Sequence, residues 1–412
     1  MEAKFEALDQ KRKYYFIACV IGAFVVGLAY TWAVLQLPFI NQLGGASVQA
    51  TVVLCYTLTV VSSTMSPSIF GSFTRKIGPK KTIFLGAVMF GLGYIFAGRT
   101  TSMAVFYIAF GLGTGIGSGF IYPTIMGYLA TLYPDKRGVV SGVVAGVYGG
   151  AAIIWSPVLA HLISVHTLNV ACLAAGIISL VFIIPVAMMI QPVPDDYIEY
   201  KSVNAAKGKA GAKTNLPDLT RGQMVKTSMF YVALIAFAFG CTSGMMVISQ
   251  ISAIMQQSFM LTATQAAFYV SMMSFMSMIG RFVWGTVTDH FDKYVTLSII
   301  CGLPVAAMAL ASSSPSQSVT VACLAVTACC YGGFGSTITP ITADLFGAKH
   351  VTENYGVMYL AFGFAGLIGP QLAVGLRKDG NFSMAFLVAA IISAIAFVMA
   401  LIVRRKVKAS LQ

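Results

Sequence analysis

GSFTRKIGPKK (residues 71–81) and GTVTDHFDKY (residues 285–294) carry one pattern 214 positions apart. In each, a glycine ends an apolar run, a short charged turn follows, and a new apolar run begins. A second pair agrees with the first. GFIYPTIMGYLATLYPDKRG (119–138) echoes GSTITPITADLFGAKHVTENYG (335–356), setting Pro123 against Pro340 at an offset of 217. Similar offsets across several apolar runs imply a duplicated chain.

Composition supplies the class. Of 412 residues, 58% are hydrophobic and 9% charged, with a mean hydropathy of +0.83, whereas soluble domains carry about 25% charged residues. Runs long enough to cross a hydrocarbon core of about 30 Å fall near 14–38, 48–71, 82–98, 103–131, 137–163, 169–190, 228–256, 262–286, 294–311, 317–342, 354–376 and 382–403. The expectation is an all-α membrane protein with twelve transmembrane helices, numbered here as spans one to twelve, in two pseudo-symmetric six-helix halves. The polar stretch 191–227, rich in Lys, Ala, Gly and Pro, reads as a linker between residues 1–190 and 228–412. In duplicated carriers of this type the binding site is expected near the bilayer midplane, where the repeats meet.

The net charge of +13 does not form one basic face, so nucleic acid is not an expected partner. With the N-terminus inside, every Lys and Arg except Arg99, Arg281, Arg377 and Lys378 falls on the cytoplasmic side. That asymmetry predicts cytoplasmic termini and a plasma (cytoplasmic, inner) membrane location. No small-residue cleavage site follows Lys11-Arg12-Lys13, so the first span is expected to stay uncleaved. The eight cysteines lie in apolar runs without CxxC spacing, which argues for packing and against a disulfide framework or a metal site. The spans also lack HExxH, a phosphate-binding loop and paired carboxylates, and so give no support to an enzyme or to a cofactor.

Within YVSMMSFMSMIGRFVWG (269–285), Arg281 is the one basic residue set well inside an apolar run. An intramembrane cation is costly and generally faces a cavity, a counter-ion or a substrate. Asp289 is eight residues on, roughly 12 Å of helix, too far for comfortable snorkelling. Arg281 is therefore the expected anion site. Four-residue glycine stripes, Gly111-Gly115-Gly119 in span four and Gly138-Gly142-Gly146-Gly150 in span five, predict close helix contacts.

The loop pattern resembles that of the major facilitator superfamily. Gly71, Lys76, Gly78, Lys80 and Lys81 fit it, Arg75 stands where an acid is usual, and the second copy keeps Asp289. YTWAVLQLPF in span one, YPDKRG before span five, GRFVWGTVTDHFDKY around span eight, and DLFG followed by NYG more specifically resemble the oxalate/formate antiporters and related monocarboxylate transporters. The resemblance implies the major facilitator fold and the latching role of that loop. It also implies a cavity lined by Arg281, Leu28, Tyr30, Tyr122, Tyr148 and Tyr331, with Phe362 where the antiporter has a second cation, Lys. One charge of that pair is missing here, which favours a monoanion of lactate, pyruvate or acetate size. Some monocarboxylate relatives carry Asp one turn before the Arg, where this chain has Ser277. Proton-coupled symport by a monomer in the lipid bilayer is the leading expectation, and anion exchange is the alternative.

Overall fold

The computed structural model describes every residue except 1, 135, 192, 195–196, 198–217, 262, 379 and 411–412. The expected linker thus lies largely outside the described residues. Ten described helices are long and apolar enough to cross a membrane. One of these, Leu54–Arg99, is 46 residues long and holds spans two and three, divided at Gly78, whose backbone leaves the helical region (φ 78°, ψ 168°). A positive φ of that size is readily adopted only by glycine. The 28-residue helix Ala263–His290 adds span eight and completes twelve.

Two spans are not simple rods. Span one begins at Glu2, well before its apolar run, and passes through a 3-10 turn at Gly27–Thr31 into Trp32–Leu43. Its early segment is held where the Tyr197 hydroxyl donates to Asp9 Oδ1 at 2.6 Å and Phe5 meets the Tyr197 ring at 5.7 Å. Burial and the adjacent Asp9 carboxylate hold the Tyr197 phenol above its usual pKa. Span eleven is split at Tyr359 into Val351–Met358 and Leu360–Leu376.

The glycine stripes make the close contacts expected of them. A Cβ on Gly111 would meet Leu58 at 2.9 Å, and one on Gly115 or Gly119 would overlap Ser62 or Ser66 of span two. On span five, a Cβ on Gly142 would reach the Arg281 carbonyl at 2.5 Å, one on Gly146 would press the Phe282 ring at 2.7 Å, and Gly138 lies against the Gly285 carbonyl. Lacking side chains, these positions let backbones approach closely enough for dispersion and weak C–H···O contacts.

The chain divides into two compact units. One comprises Met1–Leu132 with Val147–Tyr200, and the other Tyr133–Gly146 with Lys201–Gln412. The division differs from the linker-based boundary because the first part of span five packs on span eight. In the second unit Asp344 accepts from Lys293 Nζ at 2.6 Å and from the Tyr294 hydroxyl at 2.5 Å, tying the starts of span nine to the end of span ten.

Candidate functional site

Arg281 is half-buried on span eight. Glycines surround it: a Cβ on Gly332 of span ten would touch its amide nitrogen at 3.0 Å, and one on Gly335 would lie 3.7 Å from its Nε. Among the described residues the guanidinium makes no ion pair and no hydrogen bond. Its planar fork remains available for the two parallel hydrogen bonds that a carboxylate accepts.

Three aromatic rings pack together within the same unit. Tyr331, 7% exposed, meets Phe362 at 6.1 Å between ring centroids, and Phe362 meets Tyr359 at 5.4 Å. Two features seat these rings. Gly244 of span seven leaves the space into which Tyr331 packs, as Gly240 does for Phe334 one turn on. At the break in span eleven, the Phe362 N–H donates to the Tyr359 carbonyl at 3.0 Å, a tightened turn that precedes the longer helical piece.

In the first unit the remaining candidate residues fall together. Tyr122 and Tyr148 stack with centroids 4.1 Å apart, and Tyr30 meets Tyr148 edge-on at 4.9 Å. Tyr30 is 40% exposed, while Tyr122 and Tyr148 are buried. Leu28 has no accessible surface, and its carbonyl accepts from the Thr31 hydroxyl at 2.7 Å and the Tyr94 hydroxyl at 2.8 Å. It thus enters this cluster through the 3-10 turn and not through an exposed side chain. That turn forms where a Cβ on Gly27 would meet the Tyr148 carbonyl at 2.6 Å. Helices interrupted in this way recur at carrier sites, since irregular backbone in a membrane is tolerated where it is covered by protein or lines a cavity.

Three features were not expected from sequence. Gly335 faces the guanidinium, yet nothing distinguishes it from its neighbours in the run GGFGS. The Ser277 hydroxyl, one turn before Arg281, is buried without a hydrogen-bond partner. Asp289 accepts from the backbone N–H groups of Gly138 at 2.8 Å and Val139 at 2.7 Å, so it holds the first turn of span five. A carboxylate there satisfies otherwise unpaired amides and the positive end of the helix dipole.

The chain matches the sequence model of the Major Facilitator Superfamily over residues 19–311 and 232–412. It is 27% identical to the oxalate:formate antiporter of Oxalobacter formigenes over 94% of its own length and 90% of that protein's. It is 22% identical to monocarboxylate transporter 13 of Rattus norvegicus, over 78% of this chain and 72% of the other. Among solved structures, the outward-facing FucP transporter superposes with a TM-score of 0.73 at 14% identity, covering 94% of this chain and 98% of that one. That likeness speaks for the fold alone. With ten described helices long and apolar enough to cross a membrane, a repeated loop pattern and a family match over most of its length, this chain belongs to the Major Facilitator Superfamily and is an integral membrane transporter.

Proposed function

We propose that the chain carries small monocarboxylates of the lactate, pyruvate or acetate class, together with a proton, by alternating access. The observation that supports this reading is Arg281, a half-buried guanidinium without an ion pair among the described residues and bordered by glycines. One cation balances one carboxylate. A second negative charge in a poorly solvated site would add a desolvation cost on the order of several kcal/mol, and Phe362 offers it no counter-charge. Relatives named for oxalate:formate exchange and for monocarboxylate transport support small organic anions as the cargo class.

In this reading Tyr331 and Phe362 enclose the apolar tail within the second unit, while in the first unit Leu28 shapes the turn that carries Tyr30. The protein works as a monomer in the plasma membrane with both termini cytoplasmic, an orientation supported by the basic loops. Uptake of labelled lactate into proteoliposomes under an inward proton gradient tests the proposal. Arg281→Ala is expected to lower uptake at least about 100-fold, the usual scale for removing one partner of a desolvated charge pair. Wild-type uptake by a folded Arg281→Ala protein would remove the site.

Exchange of one carboxylate for another is the second reading. It is favoured by Ser277, a residue that cannot titrate, standing one helical turn before Arg281. A pH-sensitive dye inside the vesicles separates the two, since symport acidifies the lumen on lactate entry and one-for-one exchange of anions does not.

A further inference from the structure

The two compact units build the same helix crossing from different residues. In the first, a Cβ on Gly115 of span four would meet the Thr59 carbonyl of span two at 2.7 Å. In the second, a Cβ on Gly332 of span ten would overlap the Ser277 carbonyl of span eight. In these local contacts Thr59 plays the part of Ser277, and Gly115 that of Gly332. One turn along each helix from these contacts, Ser63 and Arg281 take like places at the two crossings, although the offset of 214 that pairs Gly71 with Gly285 sets Ser63 against Ser277 in sequence. Three residues along spans four and ten, Ser118 corresponds to Gly335, in keeping with the offset of 217 that pairs Pro123 with Pro340.

Side chains at this corner behave differently in the two units. The Ser118 hydroxyl donates to Ser63 Oγ at 2.9 Å, so the first unit closes the corner with its own hydrogen bond. In the second unit the hydroxyl-bearing side chain is gone. Among the described residues, two atoms outside its own helix lie within 4 Å of a Cβ built on Gly335, Arg281 Nε at 3.7 Å and the Ala145 methyl at 3.8 Å. The remaining glycines near Arg281 are pressed by backbone, whereas Gly335 has room for a methyl.

Resting on the reading of Arg281 as the carboxylate anchor, we infer that Gly335 is the specificity-determining residue of the site. A carboxylate oxygen of the substrate takes the place over Gly335 that the Ser118 hydroxyl fills in the first unit, and accepts from the guanidinium there. A side chain at 335 competes for that place. Serine is the most damaging small residue, because its oxygen accepts the Arg281 N–H that the substrate needs, while alanine adds bulk without an acceptor. This also explains why span ten is bare on this face, although a glycine in a helix interior costs about 1 kcal/mol relative to alanine.

The experiment measures labelled lactate uptake in proteoliposomes for Gly335→Ala, Gly335→Ser, Ser118→Gly and Arg281→Ala, with the melting temperature of each purified protein. Gly335→Ser is expected to raise KM about tenfold, the scale of one hydrogen bond to a charged group. Maximal rate should change little, and the protein without lactate should melt no lower than wild type. Gly335→Ala should raise KM only about two- to threefold. Ser118→Gly should leave KM unchanged. An unaltered KM in Gly335→Ser, or a loss confined to maximal rate, overturns the inference while loss of uptake in Arg281→Ala keeps the anion site. If Arg281→Ala transports normally, the underlying reading fails instead.

Discussion

The turn after span two and the turn after span eight share a scaffold and differ in charge. At an offset of 214, Thr82 matches Thr296, and each hydroxyl donates to the carbonyl four residues before it, Gly78 at 2.8 Å and Asp292 at 3.1 Å. The turns themselves are made in two ways. Gly78 reaches a positive φ, while Asp292 stays at φ −60° and caps span nine, accepting from the N–H groups of Tyr294 at 2.8 Å and Val295 at 3.1 Å. The exposed Arg75 stands against Asp289, which holds two amides of span five. Duplication thus preserved the hydrogen bonds that shape the backbone and released the charged positions to diverge, as the unmatched Arg281 also shows.

The contrast between Arg75 and Asp289 predicts the largest difference. Asp289→Ala leaves two amides at a helix N-terminus without their acceptor, at about 1.5–3 kcal/mol for each bond to a charged group. Hydrogen exchange at residues 138–139 should accelerate more than about tenfold, and the melting temperature should fall by several degrees. Arg75→Ala should stay within about 0.5 kcal/mol of wild type, as surface changes usually do. Equal losses in the two variants would break the comparison.

A middle-sized effect is expected from returning a second cation to the second unit. Phe362→Lys should shift the lactate-to-oxalate preference about tenfold toward the dicarboxylate. An unchanged ratio would show that Phe362 does not meet the cargo.

The smallest effect sharpens the helix-crossing comparison. Thr59 Oγ1 donates to the Cys55 carbonyl at 3.0 Å and lies 3.3 Å from that of Phe110, whereas the Ser277 hydroxyl, at the like contact of the second crossing, has no partner among the described residues. Thr59→Val should cost about 1 kcal/mol and Ser277→Ala nothing, or stabilise slightly, because no hydrogen bond is lost. Differential scanning calorimetry of the two variants measures this, and a clear destabilisation by Ser277→Ala would contradict it.

Helix number, duplication and the glycine stripes were legible in the sequence because each depends on local periodicity. Arg281 stood out for the same reason, as a charge in an apolar run. What was hidden depends on residues distant in sequence. The 3-10 turn holding Leu28 and Tyr30 lies where Gly27 approaches the carbonyl of Tyr148. The unit boundary inside span five follows from its packing on span eight, and the partners of Asp289 lie some 150 positions upstream. Gly335 gave no signal, since in a glycine-rich run only the fold reveals which missing side chain faces a guanidinium.

Span eleven changes pitch at Tyr359. That residue keeps helical angles, and its N–H bonds the Tyr355 carbonyl at 2.8 Å, while the Phe362 N–H reaches only three residues back, to Tyr359 at 3.0 Å. The coil is wound more tightly at that one point. A small change of twist there would tilt Phe362 against Tyr331 without unwinding the rest of the helix.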